Sequence, residues 1–303
     1  MGQAGYPKKI NPQPPPPWRH GSGQPNGGTT SDNQPLNAPL TPNPFALRTI
    51  RHAFNAGRTH LRAMPGPSLA LGGLIAAPAF GLLLIPFALG DPPLVLILAG
   101  GFALIGPLLL PGFFALRDKL ASGARPGLGQ VWGAYRQAGA GFWALVGVCL
   151  FLLLVWITDA GILYAFLVGA GAAPSQGAMA GAALVWANPG VQSFVFWASL
   201  LGAVMAAGVH LIAGFAVPLL YQGRAAPVPA IHASVRAMFR NPIPALIWAL
   251  ILILGLVAGL LLPPVLAPVL PLLAYAHYDL YLAVFPEVRK EIEGNGDSAF
   301  RQA

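Results

Sequence analysis

The distribution of basic residues is the feature that most constrains what this chain can fold into. All 17 Lys and Arg residues lie in four stretches, residues 1–62, 117–136, 224–240 and 289–301. The three segments between them are apolar, and each is long enough to cross a bilayer twice. Because basic residues collect on the cytoplasmic side of membrane proteins, this alternation predicts a polytopic membrane protein with every basic segment on one side.

The composition points to lipid as the main solvent of the chain. Charged residues make up 9% and hydrophobic residues 55% of the sequence, whereas a soluble domain has about 25% charged residues. The net charge of +8 raises the possibility of a nucleic-acid partner. However, no basic stripe interleaved with aromatic residues occurs on a soluble segment, so we expect the lipid bilayer as partner and no nucleic acid.

Six apolar segments have the length of about 20 residues that a transmembrane helix needs. They are residues 68–90, 93–116, 141–169, 192–222, 244–262 and 264–285. Proline pairs at 92–93 and 263–264 predict tight turns at the membrane surface, since proline interrupts a helix. We therefore predict an all-α bundle of six transmembrane helices, arranged as three hairpins with cytoplasmic interfacial amphipathic helices.

Four regions are predicted along the chain. Residues 1–44 form a Pro/Gly-rich cytoplasmic tail, whose composition is typical of disorder. Residues 45–64 have arginines on one helical face and apolar residues on the other, which predicts an amphipathic interfacial helix. The six-span domain covers 65–286, and a cytoplasmic tail covers 287–303. Both termini are expected in the cytoplasm, because the connectors at 91–93, 170–191 and 263–264 carry no Lys or Arg.

A weak internal repeat relates two of the basic segments. Residues 100 positions apart match as Gly123 with Gly223, Leu128 with Val228, and Arg136 with Arg236. Each segment has the pattern of a turn, a short amphipathic helix and then an apolar span. Repeated hairpins occur in both transporters and membrane scaffolds, so the repeat does not decide between these functions.

Four ionisable residues fall within the predicted spans, where each costs about 2.5–3.5 kcal/mol on insertion scales. They are Asp159, His210, His277 and Asp279. The two histidines lie about 16 Å and 12 Å from the cytoplasmic ends of their spans. This similar depth fits either a bis-imidazole haem or metal site, a proton relay, or separate hydrogen bonds across the bundle.

The two aspartates suggest different roles. Asp159 lies close to the far interface and is a candidate substrate-facing carboxylate, because the following Ala-Gly pair could allow a helix break that admits water. Asp279 lies six residues from its span end, where it is expected to reach interfacial water.

Small residues predict close helix packing, whereas no catalytic chemistry is evident. Gly255 and Gly259 form a GxxxG motif, which allows close approach within the chain or to a neighbouring protein. The sequence contains no HExxH, GxSxG or P-loop motif, and the single cysteine, Cys149, lies within a span. These features favour a protein that is not an enzyme and give no metal site.

Several short motifs resemble a bacterial family of predicted integral membrane proteins, a domain of unknown function. The motifs are Ile105-Gly106-Pro107-Leu108-Leu109, Arg125-Pro126-Gly127-Leu128, Ala216-Val217-Pro218-Leu219-Leu220, Asn241-Pro242-Ile243-Pro244 and Val269-Leu270-Pro271-Leu272-Leu273. The resemblance covers about residues 45–286 and implies a location in the bacterial inner membrane. Some family members carry a label that links them to cytochrome c oxidase subunit I.

Three functions fit these observations. The first is a non-enzymatic accessory or assembly partner of a membrane complex, with a respiratory complex implied by the resemblance and other complex subunits as partners. The second is a transporter or permease for a small or lipid-like molecule. The third is a haem-binding redox protein, which is the one function of the three that needs a cofactor.

Overall fold

A computed structural model describes residues 40–169 and 188–286, and within these ranges the chain forms α-helices and no β-strands. The helices are α1 (Leu47–Ala63), α2 (Pro65–Ala88), α3 (Val95–Ala121), α4 (Leu128–Arg136), α5 (Ala140–Leu167), α6 (Pro189–Ala213), α7 (Ala216–Tyr221), α8 (Pro227–Arg240), α9 (Pro242–Leu261) and α10 (Pro263–Val284). A short 3-10 helix, Pro92–Leu94, precedes α3. The predicted tail at 287–303 and all but the last five residues of the predicted tail at 1–44 lie outside the described residues, as does most of the connector at 170–191.

Six helical segments are long and apolar enough to cross a membrane, which confirms the predicted all-α fold with six candidate spans. They are α2, α3, α5, α6 with α7, α9 and α10. Their ends lie within a few residues of the predicted ones. The fourth span differs from the prediction because it is not one continuous helix: α6 ends at Ala213 and α7 begins at Ala216.

Proline sets the start of many of these helices. It occupies the first or second helical position of α2, α6, α8, α9 and α10. The first N–H groups of a helix have no intrahelical acceptor, so proline loses nothing there and its fixed φ favours the helix. At the start of α6, the Asn188 side chain adds a cap by accepting from the Gly190 and Val191 N–H groups at 2.8 and 3.3 Å.

The two segments of the internal repeat share a backbone feature. Gly123 after α3 and Gly223 after α7 both have left-handed φ values, +75° and +65°. Glycine adopts this conformation without the steric cost of a side chain. Gly123 is followed within five residues by the short helix α4, and then by the apolar helix α5. Gly223 is followed in the same way by the short helix α8 and then by the apolar helix α9.

Helix α10 is the centre of the described bundle. It packs against α1, α2, α9 and α3. Half of its most apolar stretch (50%) is buried within the protein, compared with 17% for α9. The polar residues in the second half of α10 are therefore surrounded by other helices.

Helix α1 packs along the second half of α10. Its residues Ile50, Ala53 and Gly57 are buried, whereas Arg48, Arg51, Arg58 and Arg62 are exposed. Gly57 lies directly against the backbone of Leu272 and Ala276, which allows the two helices to approach closely. This contact brings the end of α1 beside the polar residues of α10.

Candidate functional site

A network of polar side chains lies where the described parts of three basic segments, 1–62, 117–136 and 224–240, come together, at the end of the bundle that we call the basic end. The basic-end network consists of His60 of α1, Arg117 and Asp118 of α3, Tyr221 of α7, Gln222 and Arg224 of the following turn, and Tyr278, Asp279 and Tyr281 of α10. Four helices and one turn therefore contribute to it.

Asp279 forms a buried ion pair across the bundle. Its Oδ1 atom lies 3.0 Å from Nη2 of Arg117, and its Oδ2 atom lies 3.1 Å from Nε2 of His60. The Asp279 side chain is 12% exposed, so the Arg117 guanidinium rather than bulk solvent compensates its charge, while the His60 imidazole lies against Oδ2. The sequence suggested interfacial water as the environment of Asp279, but it gave no sign of Arg117, which is 162 positions away.

Asp118 accepts hydrogen bonds from three different side chains. Tyr278 and Tyr221 donate their hydroxyls to Oδ2 at 3.0 and 3.1 Å, and Arg117 donates to Oδ1 at 3.3 Å. The guanidinium of Arg117 also lies over the Tyr278 ring, 5.3 Å from its centroid. Arg117 therefore joins the two carboxylates, and the tyrosines extend the network towards the end of α10.

The network ends on the last carbonyls of α10. Gln222 donates from Nε2 to the Tyr278 hydroxyl at 2.9 Å and accepts at Oε1 from the Tyr281 hydroxyl at 2.5 Å. Arg224 donates to the Tyr281 hydroxyl at 3.0 Å and to the Phe285 carbonyl at 2.7 Å. A cation near the C-terminus of a helix satisfies unpaired carbonyls and offsets the helix dipole.

The break between α6 and α7 is the second polar feature of the bundle. It frees backbone groups at membrane depth, where each unpaired group is costly. Ser234 of α8 accepts from the Phe215 N–H at 3.0 Å and donates to the Leu211 carbonyl at 2.8 Å. The Gly214 carbonyl is 2.7 Å from Nε2 of His277. Side chains of α8 and α10 thus replace the missing helical bonds.

Both ring nitrogens of His277 take part in hydrogen bonds. Trp248 of α9 donates its Nε1–H to Nδ1 at 3.0 Å, so Nδ1 is unprotonated and Nε2 carries the hydrogen given to the Gly214 carbonyl. The side chain is 2% exposed. In this arrangement neither nitrogen has a free lone pair for a metal. His277 of α10 instead connects α9, through Trp248, with the helix break, through the Gly214 carbonyl.

His210 has a different environment from His277. It lies one helical turn before the break, and its backbone carbonyl accepts from the Gly214 N–H at 3.0 Å. Its Nε2 atom is buried and has no hydrogen-bond partner within the described residues. Among the described residues, no group of three His, Cys, Asp or Glu side chains could hold a metal ion.

Asp159 lies at the other end of the bundle. It is partly exposed in α5, and the described residues offer it no hydrogen bond or ion pair. Nearby contacts tie α5 to the other helices: Tyr164 donates to Asp91, and Trp156 donates to the Ile97 carbonyl at 2.7 Å. Asp159 is therefore separate from the basic-end network and from both histidines.

The glycines of the GxxxG motif face α10. Gly255 lies against Leu273 and Val269, and Gly259 lies against Leu266. The small residues thus allow α9 and α10 to pack closely as a hairpin. This face of α9 is occupied within the chain, so it is not free for a neighbouring protein.

The Tyr135 side chain makes a polar contact between α4 and α3. Tyr135 donates its hydroxyl to the Leu108 carbonyl at 3.0 Å. Burial raises the pKa of Tyr135 to about 12, so the hydroxyl remains a donor at neutral pH.

Comparison with known proteins finds one family model that is similar to the middle of the chain. The family model described as "Predicted integral membrane protein (DUF2189)" matches residues 94–222, which run from the start of α3 to the turn after α7. No curated protein and no solved structure matches the chain. The motif of α3, the motif just before α4 and the motif of α7 lie within the match, whereas the motifs of α9 and α10 lie outside it. The match confirms the resemblance seen in the sequence: residues 94–222 are similar to a family of predicted integral membrane proteins of unknown function.

Proposed function

We propose that the protein is a non-enzymatic accessory or assembly partner of a larger membrane complex. The observation that carries this proposal is the contrast between its interior and its outer faces. The polar groups of the interior form hydrogen bonds mainly with one another. The outer faces of α5 and α9 are apolar, and other parts of the protein bury little of their surface. The protein would act by binding another membrane protein within the bilayer.

The interior is arranged as a fixed scaffold. His277, Asp118, Asp279 and Arg224 all have partners within the chain. A catalytic or transport site needs polar groups that can exchange these partners for substrate. A network in which most polar side chains already have hydrogen-bond partners instead fixes one arrangement of the helices. This supports a structural role for the basic-end network.

The outer faces of α5 and α9 are the surfaces available to a partner. Only 22% of the most apolar stretch of α5 and 17% of that of α9 is buried. Large side chains such as Phe151, Leu154, Leu246 and Leu254 point outwards, each with more than 60% of its surface exposed. Helices associate in lipid through van der Waals packing of such complementary faces. The oxidase label in the resembled family makes a respiratory complex the first partner to test.

Site-specific photocrosslinking in native membranes tests this proposal. A photoreactive amino acid is placed at Leu154 of α5 or at Leu254 of α9, with Leu74 of α2 as a matched control, since its side chain is 65% exposed. We expect the same membrane protein to be crosslinked from the α5 or α9 position at several-fold higher yield than from Leu74. Crosslinks to lipid alone at all three positions would contradict the proposal.

A transporter is the second candidate, because the fourth span is broken at Gly214 and Asp159 has no partner among the described residues. Broken helices and unpaired carboxylates are common in transport sites. If this function is correct, Asp159→Asn should reduce substrate flux into vesicles at least tenfold without changing the amount of folded protein. Equal flux for wild type and variant would exclude Asp159 from transport.

Haem binding is the third candidate, favoured by the buried unpaired nitrogen of His210. For a bis-histidine site, His277 would have to release either Trp248 or the Gly214 carbonyl. A Soret band in protein purified from its native membrane, lost in His210→Ala, would support this function. Protein without a Soret band after growth with added haem precursor would contradict it.

A further inference from the structure

The α9–α10 hairpin does not extend as far from the basic end as α2 and α3 do. Gly72 of α2 lies directly against the carbonyl of Ala267 in α10, so these two positions have the same depth. From Gly72, α2 continues for sixteen residues to Ala88, a rise of about 24 Å. From Ala267, only five residues remain to the turn at Leu262, a rise of about 8 Å.

Helix tilt does not remove this difference. Transmembrane helices tilt by up to about 40°, and at that angle α2 would still advance about 18 Å beyond Gly72. The α9–α10 turn therefore lies at a shallower depth than the α2–α3 turn.

The two turns also differ in chemistry. The α2–α3 turn contains Asp91, which is partly exposed and accepts from the Tyr164 hydroxyl. The α9–α10 turn reads Leu-Leu-Leu-Pro-Pro-Val-Leu over residues 260–266, with no polar side chain. Leu261 and Leu262 at its tip are 75% and 59% exposed. Exposing these side chains to water would be unfavourable, whereas exposing them to acyl chains costs nothing.

The backbone of the α9–α10 turn leaves no N–H group unpaired from Leu262 to Val265. Leu262 donates to the Ala258 carbonyl at 3.0 Å, and Val265 donates to the Leu262 carbonyl at 2.8 Å. The two residues between them, Pro263 and Pro264, have no N–H. An unpaired donor in hydrocarbon costs several kcal/mol, and the proline pair removes this cost for the N–H groups of the turn.

We propose that the α9–α10 turn ends within the hydrocarbon of the bilayer. The hairpin enters the membrane from the basic end and returns to it without reaching the opposite surface. Its partner at the tip is the acyl chains of the lipids, which contact Leu261 and Leu262. The hairpin thus occupies more volume in the leaflet on the basic side than in the other leaflet.

Depth measurement by electron paramagnetic resonance tests this proposal. A spin label is attached to Leu262→Cys or Leu261→Cys in a Cys149→Ala background, and the labelled protein is reconstituted into phosphatidylcholine vesicles. Leu89→Cys is the matched control, because Leu89 is an equally apolar residue in the α2–α3 turn and is 68% exposed. Collision rates with oxygen and with a water-soluble nickel complex are measured for each label.

We expect the labels at 261 and 262 to collide with oxygen several-fold more often than with nickel. The label at 89 should show the reverse ratio, because it lies near water. Frequent nickel collisions at 261 and 262, similar to those at 89, would overturn the proposal. A hydrocarbon-like ratio at all three positions would also overturn it, because the two turns would then have the same depth. Only variants that elute as the wild-type protein does in size-exclusion chromatography are compared.

Discussion

At the scale of single residues, the charge on Asp279 depends on one cation from a distant part of the chain. Arg117 and Asp279 lie 3.0 Å apart, with side chains that are 20% and 12% exposed. Removing one member of a buried ion pair leaves the other charge without that partner. This costs more than replacing both members by apolar residues. The hydropathy of the sequence identified Asp279 as unusual, but its partner was invisible because the pairing depends on how α3 and α10 pack.

Neutralising Asp279 should destabilise the protein. In Asp279→Asn, Arg117 loses its closest carboxylate, and we expect a loss of roughly 3 kcal/mol in the free energy of unfolding. Asp159→Asn is the matched control, because Asp159 has no partner within the described residues, and its free energy of unfolding should change by less than about 0.5 kcal/mol. Chemical unfolding in detergent, followed by tryptophan fluorescence, measures both. Equal effects of the two substitutions would show that the ion pair contributes no net stability.

The hydroxyl of Ser234 should slow the exchange of backbone amide hydrogens with solvent at the helix break. Ser234→Ala leaves the Phe215 N–H buried without an acceptor, at a cost of about 1–3 kcal/mol. Hydrogen–deuterium exchange should therefore become at least fivefold faster around residues 214–216. Ser122→Ala is the control, because Ser122 is exposed and bonds only to the Lys119 carbonyl. Unchanged exchange in Ser234→Ala would mean that this hydroxyl does not hold the break.

At the scale of helices, apolar length predicted the positions of the six long apolar helices well, because runs of about 20 apolar residues are typical of helices buried in a membrane. The break in the fourth span was not predictable from length or hydropathy. Gly214 and Phe215 lie in an apolar run like any other, and the groups that stabilise the break, Ser234 and His277, come from other helices. The GxxxG motif indicated close packing, but the choice between an internal and an external partner also depended on tertiary structure.

The contact between α1 and α10 should be sensitive to a single methyl group. A Cβ atom at Gly57 would lie 2.8 Å from the Ala276 nitrogen and 2.9 Å from the Leu272 oxygen, and backbone atoms cannot move away easily. We expect Gly57→Ala to cost about 1–3 kcal/mol through overpacking and to increase protease cleavage within α1.

The control for this substitution is Gly129→Ala in α4, where nothing lies within 4 Å of the added atom. Alanine is a better helix former than glycine by up to about 1 kcal/mol, so this variant should be neutral or slightly more stable. Faster cleavage of α1 in both variants would show that the close approach at Gly57 is not its cause.

At the scale of the whole molecule, the distribution of basic residues predicts which ends of the helices lie together. Arg117 and Arg224 both bond to side chains in the second half of α10, and α1 packs along the same helix. The sequence could not show that the residues of the basic-end network bond to one another, because they come from four separate stretches of the chain.

Single cysteines should reveal this sidedness in intact membranes. With Cys149 replaced by alanine, Arg125→Cys and Arg240→Cys should react with an impermeant maleimide from the same side, which we predict to be the cytoplasm. Leu89→Cys should react only from the opposite side. Labelling of positions 125 and 240 from different sides would contradict a topology in which every basic segment faces one compartment.

The central claim is that the protein works by binding another membrane protein, and its mass in native lipid tests this most directly. Particles are extracted from native membranes with a lipid-preserving polymer and analysed by native mass spectrometry. We predict a species that contains one further membrane protein in fixed ratio with this 31.5 kDa chain. A single species of the chain with lipid alone would contradict the claim.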